Sequence, residues 1–260
     1  MIEVLSLHFT DQCTRKCPGC YMRGKTGPVK DPEFFLPFAN IAGQLGIKQV
    51  ALGGGEPTLF PEFISQFAEA CRQAGIILNM TTNGDGFNES NLAYYQNLTL
   101  VSFSLDRHKV RSSEELHALF DKMSLARAAG LQVGANLQLD SFIIEHLYEL
   151  LGELFNFCRR VYLLQPKPGK NGLDLGLKTK LLTANLLFEH LYADESLLMA
   201  LGLSDQCGRG CRIISVDYTG GVSSCSFDQP LARLTEPADL IEVVKSNYPF
   251  PTTSTCLFLQ

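Results

Sequence analysis

The amino-acid sequence predicts an α/β protein with parallel strands. Short β-rich runs alternate with helical patterns through the first two-thirds of its 260 residues. Glycines close three of the helical patterns, at Gly46, Gly75 and Gly130. Hydrophobic residues make up 45% of the chain, enough for a substantial core. Alternation at this spacing implies crossover helices between parallel strands. Six such units suggest a barrel or an open barrel, and a doubly wound sheet fits the same pattern.

In chain order, residues 2–9 read as a strand, with apolar and β-branched residues in short alternation. Residues 32–46 read as a helix, 49–52 as a short strand and 61–74 as a helix ending at Gly75. Strand 76–80 precedes a helix near 88–96. Strand 98–105, helix 113–129, strand 131–139, helix 142–158 and strand 161–165 follow. Residues 165–176 carry Pro166, Pro168, Gly169, Gly172 and Gly176 and read as a loop. A further helix is expected over 179–201. Two strands, 212–217 and 222–227, then meet around Gly220-Gly221, a hairpin signal. The expected domains are 1–202 and 203–260, with the boundary near Gly202.

The formal charge of −5 comes with no concentrated basic run, so no nucleic-acid partner is expected. No stretch reaches the roughly 18 uncharged apolar residues of a membrane span. Met1-Ile2-Glu3-Val4 lacks the basic start and apolar core of a signal peptide. A cytoplasmic protein with no membrane partner is expected.

The nine cysteines then need a reason. A disulfide framework suits neither a reducing compartment nor a chain of this length. Clustering points to metal ligation. Cys13, Cys17 and Cys20 form one group, and Cys207, Cys211 and Cys225 a second that Cys256 could join. Cys71 and Cys158 stand alone in helical patterns and read as core thiols.

Three thiolates in the loop after the first strand can wrap one iron–sulfur cubane, leaving one iron without a protein ligand. Half of a zinc site, or an ordinary cluster completed elsewhere, also fits. The second group fits either a cluster or a structural zinc. Val50-Ala51-Leu52-Gly53-Gly54-Gly55-Glu56-Pro57 is a strand running into a glycine-rich turn. It is no phosphate-binding loop, because no Gly-Lys-Ser/Thr follows.

The spacing Cys13-x3-Cys17-x2-Cys20 resembles the signature of the radical S-adenosylmethionine (radical SAM) superfamily. The resemblance implies a partial (β/α)6 barrel over residues 1–202. It also implies a four-iron, four-sulfur cluster held by these three cysteines. The open iron would take the amino and carboxylate groups of S-adenosylmethionine. One-electron reduction would then give methionine and a 5′-deoxyadenosyl radical that abstracts hydrogen from a substrate. The family usually has an aromatic residue just before the third cysteine to frame the adenine; here Gly19 stands there, and the aromatic is Tyr21.

Gly54-Gly55-Glu56-Pro57 is similar to the family's GGEP motif, which implies that Glu56 accepts a hydrogen bond from the methionyl ammonium. Thr82-Asn83-Gly84 looks like its TNG element and Ser104-Leu105-Asp106 like its S-x-D element. Asn136 lies where the family places a polar contact to the ribose. Each alone also reads as a cap or a turn. The active site should lie at the C-terminal ends of the strands. The polar run from Asp106 to Lys109 fits a substrate-facing loop or a solvated one. No catalytic side chain is singled out.

Cys207, Cys211 and Cys225 beside a hairpin resemble the opening of the SPASM and twitch auxiliary-cluster modules. Only Cys256 remains as a further ligand, so one auxiliary four-iron cluster is the most this group completes. The resemblance implies an oxidoreductase acting on a small molecule or a peptide, with flavodoxin or ferredoxin as the reductant. A separate peptide-recognition domain would favour the peptide and none fits before Ile2; the small size and single auxiliary site favour the small molecule, and recognition supplied by a separate chain keeps the peptide open. Molybdopterin-cofactor synthesis is a near relative, but its C-terminal tail ends in Gly-Gly and this chain ends Leu257-Phe258-Leu259-Gln260. A non-catalytic zinc- or cluster-binding protein is the alternative from another class.

Overall fold

The structure is a computed structural model that describes residues 2–106, 110, 112–167 and 175–246. Cys256, residues 107–109 of the polar run and residues 168–174 of the Pro/Gly loop lie outside these. In chain order the elements are β1 (Val4–His8), α1 (Phe38–Gln44), β2 (Gln49–Gly53), α2 (Pro61–Gln73), β3 (Ile77–Thr82), β4 (Leu100–Leu105), α3 (Ser113–Ala128), β5 (Val133–Gln138), α4 (Ser141–Glu145), α5 (Leu147–Phe157), β6 (Arg160–Leu164), α6 (Leu175–Leu187), β7 (Leu191–Ala193), α7 (Glu195–Ala200), β8 (Ile213–Val216), β9 (Gly221–Ser223), β10 (Ala232–Arg233) and α8 (Asp239–Lys245). They divide into two compact units, whose described residues fall within 2–101 with 208–246, and within 102–207.

The first unit carries the strand order β10-β9-β8-β1-β2-β3. β1 pairs in parallel with both β2 and β8, and β2 in parallel with β3. Alternation sorts the side chains of β1 onto two faces. Leu5 and Leu7 are fully buried, as are Phe38 of α1 and Ile64 and Phe67 of α2. Ser6 and His8 point to the opposite face. Their register partners there are small or polar: Ala51 and Gly53 on β2, and Ser215 beside Ser6 on β8. An apolar face for the helices and a polar face for chemistry are thus written into one strand.

α2 forms because its apolar residues recur at helical spacing. Phe63, Ile64, Phe67, Ala68 and Cys71 are all buried. Pro61 opens the helix, where its missing N–H is no loss, and Glu62 and Arg72 suit the macrodipole. The expected helix over 32–46 is two pieces, a 3₁₀ turn at Pro32–Phe35 and then α1. Pro37 cannot donate within a continuous helix, so the chain restarts there. The segment near 88–96 is a 3₁₀ turn, Glu89–Tyr95, capped by Asn88.

The second unit carries β4-β5-β6-β7, with β5, β6 and β7 parallel. β4 is buried along its whole length. α3 and α5 cover the unit, and Phe120 stacks on Phe157 at 4.4 Å. The expected helix over 179–201 is replaced by α6, β7 and α7. His190 adopts φ 62°, a left-handed conformation that ends a helix. Asp194 accepts the Leu197 N–H at 2.8 Å and starts a new one. Between them β7 adds to the sheet edge, and Tyr192 stacks on Tyr162 at 5.0 Å.

The expected hairpin is present. β8 and β9 pair antiparallel, with Ser215 opposite Ser223 and Val216 opposite Val222. Asp217 closes its turn by accepting from the N–H groups of Thr219 and Gly221, at 2.8 and 3.1 Å. Cys71 and Cys158 are buried, at 0% and 3% exposure. Burial pushes their thiols up to about 12 and about 11, so both stay protonated core residues. No helix among the described residues is long and apolar enough to cross a membrane.

Candidate functional site

The cysteine loop leaves β1 at its C-terminal end and has no regular structure at Cys13, Cys17 or Cys20. Cys13 is exposed, and Cys17 and Cys20 are half-buried. Burial pushes the Cys13 thiol up; the Arg15 N–H lowers it, and the negative charges of Glu56, Cys17 and Cys20 raise it further. A positive centre beside such a group favours its thiolate form. Among the described residues no three His, Cys, Asp or Glu side chains converge on one ion. A single ion needs every thiolate about 2.3 Å from one point. A cubane asks for less convergence, because each thiolate binds a different iron. Three soft thiolates on a loop free of ladder hydrogen bonds suit that geometry.

The glycine turn after β2 holds this loop in place. The Gly55 N–H donates to the Thr10 carbonyl and the Glu56 N–H to the Gln12 carbonyl, both at 2.7 Å. Two backbone segments therefore run against each other with no room for side chains. A Cβ on Gly54 would lie 2.6 Å from the Thr10 oxygen, and φ there is +127°. A Cβ on Gly55 would collide with the Gln12 carbonyl. The third glycine of the run has its own neighbour: a Cβ on Gly53 would lie 3.2 Å from His8 Nδ1.

Glu56 is 1% exposed and four donors surround its carboxylate. Oε1 accepts from the Thr58 N–H at 3.1 Å, the Thr58 hydroxyl at 2.7 Å and the Thr82 hydroxyl at 2.6 Å. Oε2 accepts from the Asn83 N–H at 2.7 Å. The side chain thus bolts the turn after β2 to the end of β3. Asn83 carries the connection on to the cysteine loop: its Nδ2 donates to Thr14 Oγ1 at 3.0 Å and lies 3.8 Å from Cys13 Sγ. Arg15 makes a two-point ion pair with Asp85, at 2.8 and 2.6 Å. Thr14 donates to the same carboxylate at 2.8 Å.

Tyr21 lies against His8, with ring centroids 5.2 Å apart, and its hydroxyl is 3.4 Å from His8 Nδ1. It also meets Phe227 at 4.9 Å. His8 Nε2 reaches Ser226 Oγ at 2.7 Å and Ser6 Oγ at 3.1 Å. Burial, more than the charge of Lys25, lowers the His8 imidazole to about 4 against the pull of Asp217, so it is neutral at physiological pH.

Near the second group, the Gly210 N–H donates to the Ser224 carbonyl at 3.0 Å. This sets the residues before Cys211 and Cys225 side by side. Cys211 is exposed and Cys225 half-buried. Burial pushes the Cys225 thiol up. Arg209, 3% exposed, pairs with Asp228 at 3.2 Å, and Ser224 donates to the same carboxylate at 2.6 Å.

The structure therefore brings Cys13, Gly54, Gly55, Glu56, Thr82 and Asn83 into one connected cluster, with Tyr21 at the neighbouring His8. Ser104, Asp106, Asn136 and Cys207 belong to the other unit. There Ser104 lies on β4, Asp106 just past it and Asn136 within β5. Sequence reasoning passed over His8, Thr14, Arg15, Thr58, Asp85 and Ser226. His8 had a readable signal: a titratable residue on an apolar strand that leads straight into the cysteine loop.

Comparison with known proteins bears on the family and the fold. Residues 7–124 match the family described as the Radical SAM superfamily. A probable GTP 3′,8-cyclase of Thermococcus kodakarensis is 35% identical over 88 residues, 33% of this chain and 28% of that protein. A GTP 3′,8-cyclase of Haemophilus influenzae is 27% identical over 86% of this chain and 78% of its own length. The chain thus spans under a third of the archaeal relative and over three-quarters of the bacterial one. Streptococcus suis SuiB, solved with the precursor peptide SuiA, shares the fold at TM-score 0.75 and 15% identity; the match covers 96% of this chain and 65% of SuiB. The family match covers residues 7–124, under half of the chain, and together with the cyclase relatives it supports a radical SAM enzyme.

Proposed function

We propose that Cys13, Cys17 and Cys20 hold the four-iron cluster and that a second cluster sits on Cys207, Cys211, Cys225 and Cys256. The observation that carries the first assignment is the network joining Cys13 to Glu56 through Asn83. It joins the cysteine loop, the turn after β2 and the end of β3, which supports that reading. When bound, the cluster and S-adenosylmethionine supply a reductively formed 5′-deoxyadenosyl radical that takes a hydrogen atom from the substrate. The chain's own part is positional. Gly54 and Gly55 bring the cysteine loop against β2, and Glu56 and Thr82 fix the loop ends around it. Tyr21, Ser104, Asp106 and Asn136 are proposed as cofactor contacts on their resemblance to the family's motifs alone.

Residues 203–260 form the auxiliary-cluster module, its hairpin built onto β1 through β8. Cys207, Cys211, Cys225 and Cys256 would hold that cluster, which would supply an acceptor for the electron of the substrate radical or an open iron for the substrate. The substrate is a small molecule, because the relatives similar in sequence are named for a reaction of GTP. The likeness to SuiB, at 15% identity, speaks for the fold alone. Flavodoxin or ferredoxin supplies the electron.

Iron counting tests the assignment. Anaerobically reconstituted protein should hold ~8 irons per chain, from two four-iron clusters. About four irons with one zinc would make the C-terminal module structural and end the auxiliary-cluster part of the proposal.

A further inference from the structure

Asn83 has every polar group of its carboxamide assigned. The Asp85 N–H donates to Oδ1 at 2.8 Å, which decides the orientation of the amide. Nδ2 must then face the cysteine loop, where it has two hydrogens and two acceptors. One is Thr14 Oγ1 at 3.0 Å and the other Cys13 Sγ at 3.8 Å. The backbone N–H of Asn83 is fixed in turn on Glu56 Oε2 at 2.7 Å. The residue is 7% exposed, so water competes little for these bonds. The Arg15 N–H, 3.4 Å from the same sulfur, is a second donor to Cys13.

From this geometry we infer that the Asn83 carboxamide is an outer ligand of the cluster, donating to the Cys13 thiolate and raising the cluster's reduction potential. The inference rests on the assignment of Cys13 as a cluster ligand. Its physical basis is general. A donor at a ligating sulfur favours the more negative, reduced state of the cluster, and hydrogen bonds to sulfur are among the terms that set such potentials. Asn83 is then a positioning and tuning residue, reached through β3 rather than through the cysteine loop itself. Its place in the sequence ties cluster chemistry to the Glu56 network: whatever moves the end of β3 moves the donor.

The test is a redox titration of the reconstituted protein, following the iron–sulfur signal that S-adenosylmethionine perturbs. In Asn83→Ala the ratio of reduced to oxidised cluster at a fixed potential should fall about threefold, ~28 mV on a one-electron scale of 59 mV per tenfold. Iron content at the first group should stay at the wild-type level. Wild-type protein carrying asparagine labelled with ¹⁵N in its side chain supplies a readout that needs no variant. Its reduced cluster should show a weak ¹⁵N coupling. A fully loaded variant with an unchanged potential, or a labelled wild type without the coupling, overturns the inference and leaves the cluster assignment standing. Wild-type protein that takes up no iron at the first group overturns both.

Discussion

His8 Nε2 lies 2.7 Å from Ser226 Oγ, joining the end of β1 to the residue that follows Cys225 across 218 positions of sequence. The other ring nitrogen faces the Tyr21 hydroxyl at 3.4 Å, next to Cys20. The imidazole thus stands between the two cysteine-bearing segments. Held near 4 by burial, against an ordinary value of 6.5, it refuses a proton that the unfolded chain accepts. The unfolded state therefore binds more protons between pH 6.5 and 4, and stability rises with pH across that window. His8 should cost about 3 kcal/mol of stability on going from pH 7 to pH 4. Denaturant unfolding at several pH values should show a flatter profile for His8→Gln. Parallel profiles would contradict the account of this residue.

Glu56 should be needed before any cofactor binds. Its carboxylate accepts four hydrogen bonds in a buried site, and Glu56→Gln places an amide hydrogen against donors. Losing one bond to a charged acceptor costs ~1.5–3 kcal/mol. Unfolding of cluster-free protein should reveal a loss of that size. The same variant should weaken S-adenosylmethionine in a calorimetric titration if the methionyl ammonium also reaches this carboxylate. Unchanged stability of the cluster-free variant would refute the network.

Gly55→Ala should expel the cysteine loop from β2, because the added Cβ meets the Gln12 carbonyl. The expected result is a folded protein by circular dichroism that loads well under half the wild-type iron at the first group. Full loading would show that the loop tolerates the displacement and that the close backbone approach is dispensable.

Cys225→Ala and Cys207→Ala should each halve the iron and leave cleavage of S-adenosylmethionine largely intact, while product formation is lost. Cys211 should behave alike, since the Gly210–Ser224 hydrogen bond sets its segment beside that of Cys225. A variant that loses cleavage together with the iron would make the two groups one site.

The sequence was most legible where one periodicity or one spacing sufficed. β1, α2, β5 and the hairpin follow directly from apolar spacing and turn residues, and the two cysteine groups from their clustering. The unforeseen features depend on contacts between distant segments. β7 interrupts an apolar run that reads as one helix, because only the left-handed His190 and the capping Asp194 break it. The pairing of β8 with β1 joins residues more than 200 positions apart, beyond any local pattern. Glu56 was singled out for a ligand contact, yet no spacing announces that Thr58, Thr82 and Asn83 would all donate to it. The glycine run shows the same limit. Its residues were legible as a tight turn, while the Thr10–Gln12 backbone that requires them was not.

The most direct measurement is the cleavage of S-adenosylmethionine by anaerobically reconstituted, reduced protein without substrate. The account predicts 5′-deoxyadenosine and methionine in equal amounts from the wild type. It predicts neither from the Cys13→Ala/Cys17→Ala/Cys20→Ala triple variant, which should keep the metal at its second group. Undiminished cleavage by the triple variant would contradict the assignment of these three cysteines.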